Sequence, residues 1–196
     1  MKKIGTTSRM ATNGFIKGGG KMSKELIRCE AQELFALQEL SIETFKETFA
    51  AQNQPENLND YLKRAFTLEK LEAELNDPES FFYFLKKDSQ TAGYLKLNIG
   101  AAQSEEQGAD TLEIERIYLK KTYQRMGLGE YLIKESEEKA KQLQKKRVWL
   151  GDWEENSPAR SFYEKMGYHA FSAHTFMMGT DKQTDILLEK KIRGAI

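Results

Sequence analysis

The chain reads as an α/β protein: a mixed, mostly antiparallel seven-stranded sheet with helices on both faces. Two observations predict it. Strand patterns occur early as a hairpin, 81–85 and 91–99 joined across Lys87-Asp88-Ser89-Gln90, and late as a pair, 168–178 and 184–190. Between these pairs a long helical pattern, Gly127 to Gln144, joins a strand at 112–119 to a short one at 147–152, so the sheet is not purely antiparallel.

The remaining elements follow in order. Lys24 to Cys29 is a short strand. Ala31 to Ala50 carries Leu34, Leu37, Phe45 and Phe49 at helical spacing without proline or glycine, the pattern of an amphipathic helix. Gln52 to Asn57 is a turn containing Pro55. Leu58 to Leu75 places Tyr61, Leu62, Ala65, Phe66, Leu68 and Leu71 on a helical face, as two short helices broken near Phe66-Thr67 and closed by Pro78. Gly100 to Asp110 is a polar loop. Asn156 to Met166 is a helix with Pro158 in its first turn and Gly167 as its stop.

At 196 residues and 22.6 kDa the chain suits a single domain, 22–196, with a full core. Residues 1–21 are polar and glycine-rich with no apolar centre; they read as a flexible leader, either added or upstream of a natural start at Met22. Basic and acidic residues number 30 each, which speaks against nucleic acid and anionic membrane as partners. No run approaches the roughly 18 apolar residues of a spanning helix. Cys29, the only cysteine, cannot form an internal disulfide; it reads as a small buried hydrophobe and points to a reducing cytoplasm. His169 and His174 have no metal-ligand spacing, and no metal is expected.

Chemistry concentrates between Glu113 and Gly129. In the strand, Leu112, Ile114, Arg116 and Tyr118 alternate with Glu113, Glu115, Ile117 and Leu119. A polar turn leads to Gln124-Arg125-Met126-Gly127-Leu128-Gly129 at the start of the long helix. The two glycines remove side chains that would keep a ligand off the backbone, the first helical amides point outward unpaired, and Arg125 adds a cation. Together these suit a pyrophosphate. The segment is neither a Walker loop, which needs Gly-Lys-Ser/Thr, nor a three-glycine dinucleotide fingerprint.

Strand, turn, Gln-x-x-Gly-x-Gly and helix in this order resemble the acyl-CoA-binding segment of the GNAT N-acetyltransferase superfamily. Asn156-Ser-Pro-Ala-Arg-Ser-Phe-Tyr163-Glu-Lys-Met-Gly-Tyr168 resembles its second signature. Within it, Ser41 to Phe45, Gln54 to Asn57, Ala92 to Asn98, Ala102 to Glu106, Leu112 to Tyr118, Trp149 to Gly151, Ala173-His174 and Gln183 to Asp185 are similar to the Pai-type spermidine/spermine N-acetyltransferases of Gram-positive bacteria, over about residues 22–192. The resemblance implies a GNAT fold in which the fourth and fifth strands splay apart around Arg116–Leu119 and Arg147–Asp152, with the pantetheine arm of acetyl-CoA in the V. It implies that Gln124, Arg125, Met126, Gly127, Leu128 and Gly129 hold the pyrophosphate, and that the amides of Ile117 and Leu119 hold pantetheine. The Tyr118 amide would polarise the acetyl carbonyl, and Asn156, Ala159, Phe162 and Lys165 would complete the cofactor site.

Acetyl transfer to an amine needs a neutral nitrogen, and an alkylamine with a pKa near 10.4 is unprotonated in only roughly one molecule in 10³ at pH 7. A proton acceptor is therefore useful. Glu113 and Glu115 share a strand face roughly 6–7 Å apart; they serve either as amine-side carboxylates or as solvated and ion-paired ones. Polyamine acetyltransferases of the superfamily carry a glutamate nine residues before the first motif position, which is Glu115 here, while Glu113 matches the position used by histone-type members. Glu115 is expected as base with Glu113 in support. Tyr163 fits the Tyr of Ala-x-x-x-Tyr-x-x-x-Gly (159–167) and is expected to protonate the leaving sulfur, the alternative being a packed core tyrosine. Asn156 either caps its helix or binds the pantetheine amide. The expected activity is cytoplasmic, acetyl-CoA-dependent N-acetylation of a polyamine by direct transfer in a ternary complex. Acetylation of a protein α-amino or lysine group is the second reading, and a CoA-binding regulator the third. Whether the chain forms a homodimer is left open.

Overall fold

The computed structural model describes residues 23–178 and 180–192; the expected leader, 1–21, lies outside them. The strands are β1 (Lys24–Arg28), β2 (Ser80–Lys87), β3 (Gln90–Asn98), β4 (Thr111–Leu119), β5 (Arg147–Trp153), β6 (His169–Met178) and β7 (Asp181–Lys191). The helices are α1 (Leu34–Phe49), α2 (Pro55–Ala65), α3 (Leu68–Asn76), α4 (Leu128–Gln142) and α5 (Ser157–Lys165). One sheet runs in the order β1-β2-β3-β4-β5-β7-β6, and only the β4–β5 pair is parallel. Among the boundaries that differ from the sequence reading, two have a plain physical cause. Pro55 opens α2 instead of sitting in a turn, because proline needs no helical amide partner at N1. β7 begins at Asp181, three residues before the expected Thr184, because it pairs with β6 down to the Met178 position.

Two cores sandwich the sheet. α4 and α5 cover one face over Leu95, Leu97, Leu112, Ile114, Val148, Leu150 and Leu188. α1, α2 and α3 cover the other over Phe82, Phe84 and Tyr94. The β2–β3 hairpin turns through Asp88 and Ser89 at φ of 49° and 67°, the doubly positive pair that matches strand twist in a two-residue turn.

The strict alternation expected along β4 does not hold. Lys96 pairs with Arg116 but Leu97 pairs with Ile114, so Glu115 is an extra residue, a β-bulge. Beyond it the faces exchange: Leu112, Ile114, Ile117 and Leu119 all pack toward α4, while Tyr118 joins the α1–α3 core. β4 pairs with β5 only from Thr111↔Arg147 to Glu113↔Trp149, after which the two strands part. β5 stays paired to β7 as far as Trp153↔Asp185. The gap therefore opens in the middle of the sheet, with both its walls anchored on their outer sides.

Gly93 holds the β3 side of that wall. A Cβ there would stand 2.1 Å from the Tyr118 carbonyl oxygen, a contact that only backbone movement relieves. Gly93→Ala is expected to cost about 1–3 kcal/mol of unfolding free energy, read from denaturant midpoints.

Candidate active site

The α4 end of the gap is made of backbone. Gly127 takes a left-handed φ of 74° at the N-cap, and a Cβ there would meet nothing within 4 Å, so the space above it is open. Helical bonding begins with the Tyr131 amide on the Gly127 carbonyl at 3.2 Å, which leaves the amides of Leu128, Gly129 and Glu130 without partners in the helix. Arg125 also has a positive φ, 60°, unusual for a residue with a side chain and typical of a backbone held for a ligand. Arg125 and Met126 are exposed, whereas the Leu128 side chain is core and offers only its amide. The Gln124 side-chain amide donates to the Leu119 carbonyl at 3.4 Å, tying this loop to the end of β4. The Cα side of Gly129 borders α5, where a Cβ would lie 3.4 Å from the Phe162 ring, so it offers its free amide but no open space. These donors and this clearance fit a pyrophosphate.

The amides along β4 sort by direction. The Lys120 amide donates to the Ala92 carbonyl at 2.9 Å, and Tyr118 pairs with Tyr94, so donors at 116, 118 and 120 turn toward β3. Those of Ile117 and Leu119 turn the other way, into the gap, where an extended thioester arm can use them. The Tyr118 amide, expected at the acetyl carbonyl, is instead committed to the β3 ladder; its ring stacks on Tyr94 at 5.8 Å.

Glu113 and Glu115 do lie together, both accepting from Asn98 Nδ2, at 3.1 and 2.5 Å. Neither stands free. Glu115 is ion-paired with Lys96 Nζ at 2.5 Å and Arg116 Nη2 at 3.1 Å. Glu74 of α3 closes the cluster, 3.0 Å from both Lys96 and Arg116. Burial would raise the Glu115 carboxyl, but the Arg116 and Lys96 charges outweigh it and hold it below the ordinary range. A carboxylate so held is a weaker proton acceptor than a free one. Glu113, 3% exposed, accepts from the Ser104 amide at 2.8 Å and from the Ser104 hydroxyl; burial first, and the Glu115 charge second, push it up.

The opposite wall carries residues that the sequence reading gave no role. Asp152 of β5 is 5% exposed, and its Oδ2 accepts no hydrogen bond; the nearest cation is Arg160 Nε at 3.8 Å. Burial is the largest influence on this carboxyl, Arg160 opposes it, and the Asp185 charge adds to it, so it is pushed up to about 7. On β7, Asp185 is likewise pushed up, by burial and then by Glu105 and Glu154 against the pull of His174. His174 sits between Glu105 Oε1 at 2.5 Å and Asp185 Oδ2 at 3.6 Å. Burial pushes the Tyr61 phenol of α2 up, and the charges of Glu115 and Asp185 add to that against the pull of Arg116.

Tyr163 of α5 is buried beside Phe162, 5.3 Å between rings, and both burial and the Asp152 charge keep its phenol protonated. Asn156 stands at the N-cap position of α5 but its side chain makes no capping hydrogen bond, which removes the capping alternative. Ala159 and Phe162 pack against the α4 core, and Lys165 is exposed at the far end of the helix. Of the residues that sequence reasoning missed, Asp152 had a signal: it follows Val148 and Leu150 at period two, a carboxylate on a core-facing row.

A split sheet whose gap ends at an amide-bearing helix start, with a tyrosine beside it, defines an acyl-CoA-dependent transferase. Residues 35–168 match the acetyltransferase (GNAT) family, and the chain belongs to that family. It is an N-acetyltransferase drawing on acetyl-CoA. It is 44% identical over 168 residues, 86% of this chain and 97% of the relative, to an uncharacterized N-acetyltransferase of Lactobacillus delbrueckii subsp. lactis. It is 27% identical to the spermidine N(1)-acetyltransferase of Thermoplasma acidophilum, covering 87% of this chain and 98% of that one. The crystal structure of PaiA N-acetyltransferase from Thermoplasma acidophilum in complex with coenzyme A superposes with a TM-score of 0.71 at 27% identity, over 87% of this chain and 99% of that one. Among the described residues no helix is long and apolar enough to cross a membrane.

The two glycines separate in a binding experiment. Gly127→Ala, which strains a left-handed residue by about 1–2 kcal/mol, is expected to weaken CoA binding roughly tenfold by calorimetry. Gly129→Ala is expected to stay within about threefold, since the added methyl only touches Phe162 and alanine favours helix.

Proposed function

We propose that the acceptor is a polyamine, acetylated on a primary nitrogen by direct transfer from acetyl-CoA bound in the same complex. The observation that carries this reading is the unbalanced charge of the β5–β7 wall. Asp185, Glu105 and Glu154 gather there around His174, while Asp152 lies beside Arg160 on the opposite, α5-facing side of β5; burial, which Arg160 and His174 do not offset, pushes the Asp152 and Asp185 carboxyls up, so each has room for a further cation. A ligand with several ammonium groups supplies that cation and is drawn in by the same field. Aromatic rings complete the wall, Trp153 edge-on to Phe49 at 6.0 Å and Tyr61 stacked on Phe45 at 4.8 Å, surfaces on which alkylammonium groups pack well. The spermidine acetyltransferase among the relatives supports the same class.

In this reading the amides of Ile117 and Leu119 align the thioester arm, and those at the start of α4 hold its pyrophosphate. Gln124, Arg125, Met126 and Gly127 shape that loop, while Asn156, Ala159, Phe162 and Lys165 form the α5 border. Glu113 and Glu115 hold β4 in shape through Asn98 and the Lys96–Arg116 pairs. The Tyr163 hydroxyl, protonated and at the apex, donates to the departing sulfur.

The test is a panel of acceptors scored by release of free CoA thiol: spermidine, spermine, a lysyl peptide and none. Spermidine or spermine is expected to be the best acceptor; a preference for the peptide would move the protein to the protein acetylases, and acceptor-independent signal alone would remove the reading. Tyr163→Phe is expected to lower kcat by about 10²-fold or more while CoA affinity stays within about twofold.

A further inference from the structure

Asp152 is costly where it stands. It is a carboxylate on the α5-facing row of β5, sealed from solvent, with one oxygen that no donor satisfies; Arg160 gives its Nη2 to the carbonyls of Trp153 and Glu154 at 3.2 and 2.5 Å, and its Nε stands unpartnered 3.8 Å from that oxygen, beyond hydrogen-bond reach. It sits three residues past Trp149, the last β5 residue paired to β4, where the gap is open. The groups beside it are Arg160 and Tyr163 of α5 and Asn156 ahead of that helix; Asp185 of β7, itself in contact with His174 of β6, lies on the opposite face of the sheet and acts on it only through its charge. Glu115, on the other wall, is already neutralised by Lys96 and Arg116.

We propose that Asp152, and not Glu115, accepts the proton that the acceptor amine loses. The assignment rests on an amine being the acceptor, whichever amine that is. The amine nitrogen bonds to the acetyl carbon, the C–S bond breaks, and the N–H proton passes to Asp152 Oδ2 while Tyr163 gives its hydroxyl proton to the sulfur. Return of the Asp152 proton to the tyrosinate restores both groups and leaves amide and thiol as products. The two transfers help each other. While Asp152 is anionic its charge keeps the neighbouring phenol protonated, and once it takes a proton that charge disappears and Tyr163 becomes a better donor. Because the carboxyl is raised to about 7, it is neutral and idle at lower pH and becomes competent as pH rises through that value.

The experiment compares wild type, Asp152→Asn, Asp152→Glu and Glu115→Gln from about pH 5.5 to 9.5 on the best amine of the panel, with CoA affinity measured alongside. The wild-type rate is expected to rise with pH through about 7. Asp152→Asn should lose on the order of 10²-fold in kcat and the limb near neutrality, with CoA affinity within about twofold, and Asp152→Glu should recover part of the rate. Glu115→Gln should keep the limb. A limb that survives in Asp152→Asn, a loss below about threefold, or a limb abolished by Glu115→Gln overturns the assignment. Independently of any variant's folding, wild-type protein carrying ¹³C-labelled aspartate carboxyls should show one signal titrating near pH 7; none above about pH 6 overturns it as well. Should spermidine fail while another amine is acetylated, the polyamine reading falls and the same profiles on that amine decide Asp152; should no amine release thiol, both fall.

Discussion

β4 has to satisfy two demands at once: it stays hydrogen-bonded to β3 as far as Leu119, and it releases β5 after Glu113. An amide left buried without a partner costs about 1–3 kcal/mol, so a strand opens inside a sheet only where its free donors reach solvent or a ligand. The bulge at Glu115 reconciles the demands. One extra residue increases the local twist and turns Ile117 and Leu119 to the α4 side, where they continue the apolar row begun by Leu112 and Ile114. Their amides then line the gap while the side chains remain in the core.

A bulge needs to be held, and the charges around it do this. Glu74, Lys96, Glu115 and Arg116 come from α3, β3 and β4, two anions against two cations within 3.1 Å contacts. Buried ion pairs add little net stability, because desolvation consumes most of the Coulombic gain, but removing one partner strands the others. The cluster therefore fixes register more than it stabilises the fold. It also cancels itself. On the proposed reading, the acidic field offered to an acceptor comes from the β5–β7 side, where Arg160 and His174 do not offset the burial of Asp152 and Asp185.

The legible part of the sequence was what depends on backbone and periodicity. The hairpin at Asp88-Ser89, the helix break at Phe66-Thr67, and Gly127 at the head of a long amphipathic helix each follow from local chemistry, and the structure has each. The bulge was not legible: Leu112 to Leu119 alternates cleanly under either register until β3 is placed beside it. The setting of Glu115 was hidden for the same reason. Its partner Lys96 lies on another strand and Glu74 on a helix, and no spacing within 112–119 announces either. Asp152 was visible as a charge in an apolar row, but its isolation depends on the Arg160 Nη2 being held by the carbonyls of Trp153 and Glu154.

On the proposed reading, the two halves of the site differ in what they are made from. The thioester side relies on main-chain amides at 117, 119 and the start of α4, which almost any side chains would present provided Gly127 keeps its left-handed turn. The acceptor side is written in side chains drawn from β5, β6, β7, α2 and the loop bearing Glu105, elements that meet only in the folded sheet. Changing Asp185 or Glu105 alters the charge offered to an acceptor without touching a donor amide. A fold divided in this way can keep one acyl donor and exchange its acceptors by a few substitutions, so the motif that betrays the donor in the sequence says little about the amine.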